Sequence, residues 1–223
     1  LERVSGPPEL VLQSANEALP QVDDPQLKIA ICLRCAKWYG TELKHPEYAI
    51  PYYQQILALD PANVPAMRQM ADLYRSTQQW TTLAQVLGRL VDITADHADK
   101  ASVYVQMGEL AEQHLGVPEQ ARTYFKQALD TDPNHIGALE SLERVYREGS
   151  EWNELLDVLR RKADALTDPK DVLEAKLQIA EAYEDRTGNI DEAIATYQQV
   201  LAGDAQNLRA MKGLERLYAQ RER

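Results

Sequence analysis

The chain has 223 residues, a formal net charge of −11, 44% hydrophobic residues and two cysteines. This apolar content is enough for a packed core, whereas the acidic excess disfavours nonspecific binding to nucleic acid and anionic lipid. No apolar run approaches the roughly 18 residues of a membrane helix, and two cysteines cannot build a disulfide framework. We therefore expect a cytoplasmic protein that neither inserts into membranes nor binds nucleic acid.

An internal period of about 72 residues runs without a gap from the region of Pro8 to the end. The segment that starts at residue 66 reads AMRQMADLYRSTQQWTTLAQVL, and the one that starts at residue 138 reads ALESLERVYREGSEWNELLDVL. Their tyrosines, tryptophans and leucines fall in the same slots. Each half of the period repeats apolar residues at helical spacing, with Gly, Asn, Asp or Pro at the turns. Each half therefore predicts a hairpin of two amphipathic helices, with its large apolar residues, Trp80 and Trp152 included, in the core.

Read in chain order, the pattern predicts twelve helices and no strands. It begins with the second helix of a preceding unit, continues through five hairpins and ends with a first helix that lacks its partner. The predicted units are 8–25 for the leading helix, 26–62, 63–97, 98–134, 135–169 and 170–206 for the hairpins, and 207–223 for the last helix. Together they form one repeat domain over residues 1–223.

The hairpin at 98–134 carries the most regular motif. It reads Tyr104-x2-Met107-Gly108-x2-Ala111, then Ala121-x3-Phe125, then Pro133. This motif resembles the tetratricopeptide repeat, in which small residues let neighbouring helices approach closely. The resemblance covers nearly the whole chain and implies an all-α, right-handed α-solenoid, or superhelix, of about twelve antiparallel helices in a 72-residue double repeat. The even units depart from the pattern, because Leu83 and Leu155 replace the small alanine.

The last predicted helix has no polar cap, although solenoids normally need one for solubility. Its apolar residues are expected to form an uncovered face. They are Met211, Leu214, Leu217 and Tyr218. We therefore expect a fragment of a longer array, one section of a larger bacterial protein, and we expect this end to dock on another copy.

The spacing Cys32-x2-Cys35 is the one motif that suggests redox or metal chemistry. Redox pairs of this kind open a helix after a strand, but here both cysteines fall inside a predicted helix. The equivalent slots one period later hold Tyr104 and Met107, and zinc would need two further ligands. Packing is therefore the favoured interpretation. Because nucleotide-binding, zinc-protease and serine-hydrolase motifs are also absent, we expect no enzyme, no cofactor and no metal.

The resemblance implies a concave wall built from the first helices of the hairpins, where relatives hold an extended peptide or a helix. Mapping that face onto this sequence gives Arg68, Asp72, Arg75, Val105, Glu109, Glu112, Glu140, Arg144, Arg147, Leu177, Glu181, Glu184, Lys212 and Arg216. Six of these residues are basic and six are acidic, and Val105 and Leu177, with Leu33, lie between the charges.

Two interpretations of this charge pattern stay open. In one, neighbouring helices pair their charges, each exposed pair contributing about 0–1 kcal/mol. In the other, the alternating charges select a partner segment of complementary charge. The sequence thus predicts a noncatalytic protein-protein interaction scaffold that binds a partner peptide or helix in its groove. The alternative is a structural spacer or self-assembly element that associates through the ends of the array.

Overall fold

The computed structural model describes residues 8–221, apart from the side chains of residues 8, 9, 11 and 41. Twelve α-helices and no strand lie in that range, and this confirms the predicted all-α solenoid of helical hairpins. Residues 1–7 and 222–223 of the predicted domain lie outside the described residues. The predicted repeat bounds and the single-domain assignment stay predictions.

The helices follow one another through short turns. In chain order they are α1 (Pro8–Ala18), α2 (Pro25–Thr41), α3 (Ile50–Leu59), α4 (Val64–Ser76), α5 (Trp80–Ile93), α6 (His97–Gln113), α7 (Pro118–Thr131), α8 (Ile136–Glu148), α9 (Trp152–Ala165), α10 (Pro169–Ala182), α11 (Ile190–Gly203) and α12 (Leu208–Arg221). Single turns of 3-10 helix at Leu19–Gln21 and Pro46–Ala49 follow α1 and precede α3. A π-helical turn at Tyr183–Thr187 extends α10.

The chain divides into two compact units. The first comprises α1 to α5 together with Gln113–Leu115, and the second comprises Asp96–Glu112 and the described chain from Gly116 onward. In the first unit α2 packs on α3 and α4 on α5. In the second, α7 to α12 each pack on their sequence neighbours, and the first helix α10 also contacts the first helix α12. This is the packing expected of stacked hairpins.

Short polar side chains cap the first helices at positions one period apart. The caps of α2, α6 and α10 are Asp24, Asp96 and Asp168, whose carboxylates accept backbone N–H bonds at 2.8–2.9 Å. The caps of α4, α8 and α12 are Asn63, His135 and Asn207. His135 caps through Nδ1, which accepts from the Ala138 N–H at 3.2 Å. Because such a cap satisfies an otherwise unpaired donor, these residues set where each first helix begins.

The turns that end the first helices also follow the internal period. Lys44, Gly116 and Gly188 have φ values of 55°, 67° and 66°, and Gln78 and Ser150 have φ values of 58° and 57°. This left-handed backbone reverses the chain after a helix and suits glycine best. The period seen in the side chains therefore extends to the backbone.

The core of the second unit is one continuous cluster of buried residues from Ala101 to Leu217. α6 and α7 approach each other closely at Gly108, where an added Cβ atom would stand 2.3 Å from Cε1 of Phe125. Phe125, Ala111 and Ala121 of the same motif are fully or almost fully buried. The small residue of the motif therefore makes room for the aromatic ring of the paired helix.

Candidate functional site

The first helices of the second unit carry most of the predicted groove residues, and four of these residues form two ion pairs that are one period apart. Arg144 on α8 binds Glu112 on α6 through two hydrogen bonds, of 2.8 and 2.6 Å. One period later, Arg216 on α12 binds Glu184 through two hydrogen bonds, both of 2.9 Å. Each pair bridges neighbouring first helices, so these charges are paired within the chain as in the first of the two interpretations.

Glu184 is a carboxylate of this face that binds two different side chains. It also accepts a hydrogen bond of 2.8 Å from the Tyr197 hydroxyl of α11. Burial raises the pKa of Glu184, but the hydrogen bonds from Arg216 and Tyr197 outweigh burial and hold that pKa below its ordinary value. Burial and then Glu184 raise the pKa of Tyr197. Glu184 is therefore ionised at neutral pH and ties three helical segments together.

Other ion pairs on the same face include residues that sequence reasoning missed. Arg209 at the start of α12 contacts both Glu181 and Glu174 at 2.8–3.2 Å. The helix mapping left out Arg209 and Glu174, because it followed one row of residues along each helix. A search for i+28 and i+35 charge pairs between adjacent first helices would have found both contacts.

The predicted acidic and basic residues of α8 are also paired. Arg147 binds Glu143 one helical turn earlier at 2.8 Å, and Glu140 lies 3.4 Å from Lys162 of α9. Glu109 on α6 and Lys212 on α12 are exposed, and neither side chain has a hydrogen bond or ion pair within the described part of the chain. These two residues are the charges of the face that are open to a partner.

The apolar positions of the predicted face need a correction. Val105 and Leu177 were expected between the charges on the groove surface, but they are 8% and 3% exposed and belong to the core. Leu33 of α2 is 39% exposed. The face of the second unit is consequently more polar than the sequence predicted.

In the first unit the predicted groove residues lie on α4. Arg75 binds Asp72 at 2.9 Å within the same helix, and Arg68 is half-buried. The slots of Arg144 and Glu112 hold Asp72 and Gly40 here. The ion pair between first helices therefore cannot form at this point of the period.

A cavity of about 170 Å³ opens between α8, α9 and α10. Its lining residues are Arg147, Trp152, Leu155, Leu159, Gln178, Glu181, Ala182, Asp185 and Arg186. Arg147 and Glu181 belong to the predicted groove. The sequence placed Trp152 in the core, yet its ring is half-buried, with the guanidinium of Arg186 4.8 Å from its centroid. The cavity therefore combines a hydrophobic floor with a rim of both charges.

The first unit has a wider and more open concavity of about 770 Å³. It is lined by Leu12, Gln13, Asn16, Glu17, Tyr39, Leu43, His45 and Tyr48. The rings of Tyr39 and Tyr48 meet edge to face at a centroid distance of 5.7 Å. The sequence assigned none of these residues to a binding site.

The predicted docking end at α12 is only partly uncovered. Leu214 and Leu217 were expected on an open face, but they are 9% and 1% exposed and pack in the core of the second unit. Met211 and Tyr218 are 39% and 43% exposed. The expectation of a wholly uncovered apolar face is therefore wrong for the two leucines.

Cys32 and Cys35 are buried free thiols. Burial raises the pKa of both, slightly offset at Cys32 by Lys28, and burial together with Cys32 raises the pKa of Cys35 to about 11. Since the thiolate is the reactive form, this environment suits packing. In residues 8–221, no group of three or more His, Cys, Asp or Glu residues is arranged to hold a metal ion. Among the described residues, no helix is long and apolar enough to span a bilayer.

Comparison with protein families places three consecutive matches on this chain. Models described as tetratricopeptide repeat match residues 99–135, 138–173 and 174–202. Lipopolysaccharide assembly protein B of Escherichia coli strain K12 is 28% identical over 120 residues, which are 51% of this chain and 29% of that protein. The chain thus matches under a third of the length of this curated relative.

Two solved structures share the fold. The C-terminal part of a TPR repeat-containing protein from Cytophaga hutchinsonii has a TM-score of 0.61 at 17% identity, over 93% of this chain and 81% of that chain. YrrB, described as a TPR protein with an unusual peptide-binding site, has a TM-score of 0.52 at 14% identity, over 92% of this chain and 99% of that chain. At such identities the likeness concerns the fold.

Proposed function

Because the chain belongs to the tetratricopeptide repeat family, a fold that generally serves as a noncatalytic interaction scaffold, we propose that it binds a peptide or helix of another protein on the face of its first helices. The cavity between α8, α9 and α10 is the observation that supports this proposal. It offers an apolar floor beside convergent polar groups, which is the usual character of a binding site. YrrB, which shares the fold, is described as having a peptide-binding site.

The charges around this cavity favour a partner segment that carries both signs. Arg147 and Arg186 lie on the rim with Glu181 and Asp185, and Glu109 and Lys212 are the open charges on the same series of first helices. A segment with acidic and basic residues could pair with both kinds of group. Such pairing gives specificity more than affinity. In this proposal some charges of the face pair within the chain, as Arg144 does with Glu112 and Arg216 with Glu184, and the other charges select the partner.

The proposal is tested by single charge reversals. Arg147→Glu and Arg186→Glu change the rim, whereas Lys170→Glu changes an exposed residue of the first turn of α10, outside the cavity. Affinity capture from a lysate, read by mass spectrometry, should retain a protein with the wild type and with Lys170→Glu. Both rim variants should lose it, and circular dichroism should show unchanged helix content.

The bound segment is then mapped with overlapping peptides of the captured protein. Equal capture by all four chains, or capture that Lys170→Glu also loses, would overturn the groove proposal. In the same scheme the described chain is noncatalytic and uses no cofactor. Its expected cytoplasmic location stays a prediction, which cell fractionation of the tagged protein checks.

A structural spacer or self-assembly element is the second candidate. The exposed residues Leu208, Met211 and Tyr218 on α12 favour it, because apolar patches on a surface often mark association sites. Under this alternative, sedimentation velocity should show concentration-dependent oligomers that Met211→Glu abolishes. The variant Leu214→Glu is unsuitable, because Leu214 is buried. A glutamate at this position would place a charge in the core and destabilise the packing of α12.

A further inference from the structure

The open concavity of the first unit contains tyrosine rings that remain accessible to solvent. It lies between α1, the end of α2 and the 3-10 turn at Pro46–Ala49. The ring of Tyr39 stacks on Tyr52 and meets Tyr48 edge to face, each at a centroid distance of 5.7 Å. Tyr39 is half-buried, and Tyr48 is 56% exposed. The concavity therefore offers a fixed aromatic surface.

The equivalent place in the second unit shows which group lies over such a ring. Two periods later Tyr183 has the slot of Tyr39, and the guanidinium carbon of Arg160 lies 5.5 Å from its ring centroid. Arg160 also contacts the Tyr183 hydroxyl and binds Asp157 at 3.0 Å. Tyr183 is only 5% exposed. The tyrosine in this slot is thus buried where an arginine of the chain lies over it.

The first unit has the tyrosine without the arginine. Asn16 stands in the slot of Arg160, and it accepts a hydrogen bond of 2.7 Å from the Tyr52 hydroxyl. Glu17 stands in the next slot, where α9 has Arg161. Two positive charges are therefore replaced by a neutral residue and a negative charge. Among the described residues that line the concavity, none is a lysine or an arginine.

The negative charge of this lining comes from Glu17 on α1. Glu17 is exposed, and one of its oxygens accepts a hydrogen bond of 3.1 Å from Gln13 of the same helix. A carboxylate has two oxygens that accept hydrogen bonds, so Glu17 can also accept from a donor that enters the concavity. The ring of Tyr39 and this carboxylate together favour a cation.

The opening does not depend on what precedes α1. On α9 the slots of Gln13 and Asn16 hold Asp157 and Arg160, whose side chains are 73% and 51% exposed although α8 packs on α9. A first helix that packed on α1 in the same way would leave Gln13 and Asn16 open. The concavity is therefore not the place of a preceding first helix.

We propose that the concavity of the first unit binds an arginine side chain of a partner protein. The guanidinium stacks on the ring of Tyr39, as the arginine of the second unit does on its tyrosine, and pairs with Glu17. Arginine suits this place because its planar cation both stacks on aromatic rings and pairs with carboxylates. Leu43 in the lining contacts its methylene groups.

The size of the concavity favours an arginine that belongs to a polypeptide segment. A volume of about 770 Å³ exceeds what one side chain fills, so the concavity has room for the residues on either side of the arginine. This site lies in the first unit, whereas the cavity of the proposed function lies in the second. It adds a second point of contact and does not require the first.

The test uses the full chain and the peptide acetyl-Gly-Gly-Arg-Gly-Gly-amide. A matched peptide carries citrulline, which keeps the shape of arginine and removes its charge. NMR titration should show saturable shifts of the ring signals of Tyr39 and Tyr48, assigned through their Phe variants. The citrulline peptide should bind about fivefold more weakly, because the cation–π contact and the ion pair are lost.

Two variants of α1 test the site from the side of the protein. Glu17→Arg restores the charge that α9 has in this slot and should weaken binding of the arginine peptide by about fivefold. Gln13→Asp combined with Asn16→Arg supplies the cation within the chain and should prevent binding, with unchanged helix content by circular dichroism. Glu154→Arg, the same charge reversal at an exposed position of α9, should leave the affinity unchanged.

Several results would overturn the proposal. The arginine peptide could cause no shifts, could bind no better than the citrulline peptide, or could bind the α1 variants as tightly as the wild type. The small cation agmatine could bind more tightly than the peptide, which would make the concavity a site for a small molecule. The rim variants Arg147→Glu and Arg186→Glu should keep peptide affinity, so loss of the groove function and loss of this site are distinguishable.

Discussion

At the residue scale, the smallest side chains decide how closely the helices pack. Gly108 lies against the ring of Phe125, and an added Cβ would stand 2.3 Å from its nearest atom. Gly88, on α5, has no atom within 4 Å of the corresponding position. Both glycines lie inside helices, but only Gly108 is in a crowded environment. A comparison of the two positions therefore distinguishes the effect of packing on stability from the effect of helix propensity.

We therefore expect opposite effects from the same substitution. Gly108→Ala should lower the free energy of unfolding by about 1–3 kcal/mol, because overpacking forces the ring or the helix to move. Gly88→Ala should raise it by about 0.5–1 kcal/mol through helix propensity. Urea denaturation followed by circular dichroism measures both, and a neutral or stabilising Gly108→Ala would show that α6 and α7 are not in close contact.

The carboxylate of Glu184 makes the stability of the protein depend on pH. Its folded-state pKa lies below the ordinary value of 4.5, so its contribution to stability is fully present above that pH. This contribution is lost as the pH falls through the lowered pKa. Below it, protonated Glu184 no longer attracts Arg216.

Glu184→Gln should lower stability at neutral pH by about 1 kcal/mol, because Glu184 is mostly buried but solvent screens its exposed partner Arg216. The difference from the wild type should shrink as the pH falls below 4.5. Thermal unfolding between neutral pH and acid conditions checks this trend. A difference that stays constant over the whole range would mean that the ion pair with Arg216 does not form.

At the element scale, the internal period fixes turns as well as faces. Gly116 and Gly188 occupy one left-handed slot and Lys44 the equivalent one, while Gln78 and Ser150 share a second slot without any glycine. A side chain in this conformation costs free energy that glycine avoids. The second slot therefore stores a small strain at each occurrence.

Ser150→Gly should raise the free energy of unfolding by about 0.5–1 kcal/mol, because glycine adopts the positive φ without steric cost. Glu154→Gly, at an exposed position in the first turn of α9, should lower it by up to about 1 kcal/mol. Urea denaturation of both variants measures the contrast. A destabilising Ser150→Gly would indicate that the backbone at this turn is not left-handed in solution.

At the scale of the whole molecule, the core is continuous within the second unit. Its buried cluster runs from Ala101 to Leu217, and the ion pairs Arg144 with Glu112 and Arg216 with Glu184 lie inside the same unit. In repeat proteins, stability is close to a sum over repeats and their interfaces with neighbours. This buried cluster and these ion pairs are formed by residues of the second unit alone.

We expect residues 96–223 to fold without the first unit. The fragment should keep a helical circular dichroism spectrum and unfold in one cooperative transition. A shorter fragment, 116–223, should be less stable, because it lacks α6 and with it the partners of Phe125 and Arg144. A gradual, noncooperative loss of helix from the longer fragment would contradict this expectation.

The sequence by itself determined the helices, their order and the family. Apolar residues at helical spacing must face a core, and this spacing identifies the helices. Caps and turn residues act on their nearest neighbours in the chain, so they mark where each helix begins and ends. The same logic placed Gly108 and Phe125 in one packing motif and favoured packing for Cys32 and Cys35.

Only the tertiary structure decided which side chains on each helix remain in contact with water. Val105, Leu177, Leu214 and Leu217 are buried, and Trp152 is half-exposed beside Arg186, although the pattern predicted otherwise. Helical spacing gives the direction of a residue around its own helix, whereas burial depends on the neighbouring helix and on how far it extends. For the same reason the partners of Arg209 emerged only once the helices were placed side by side.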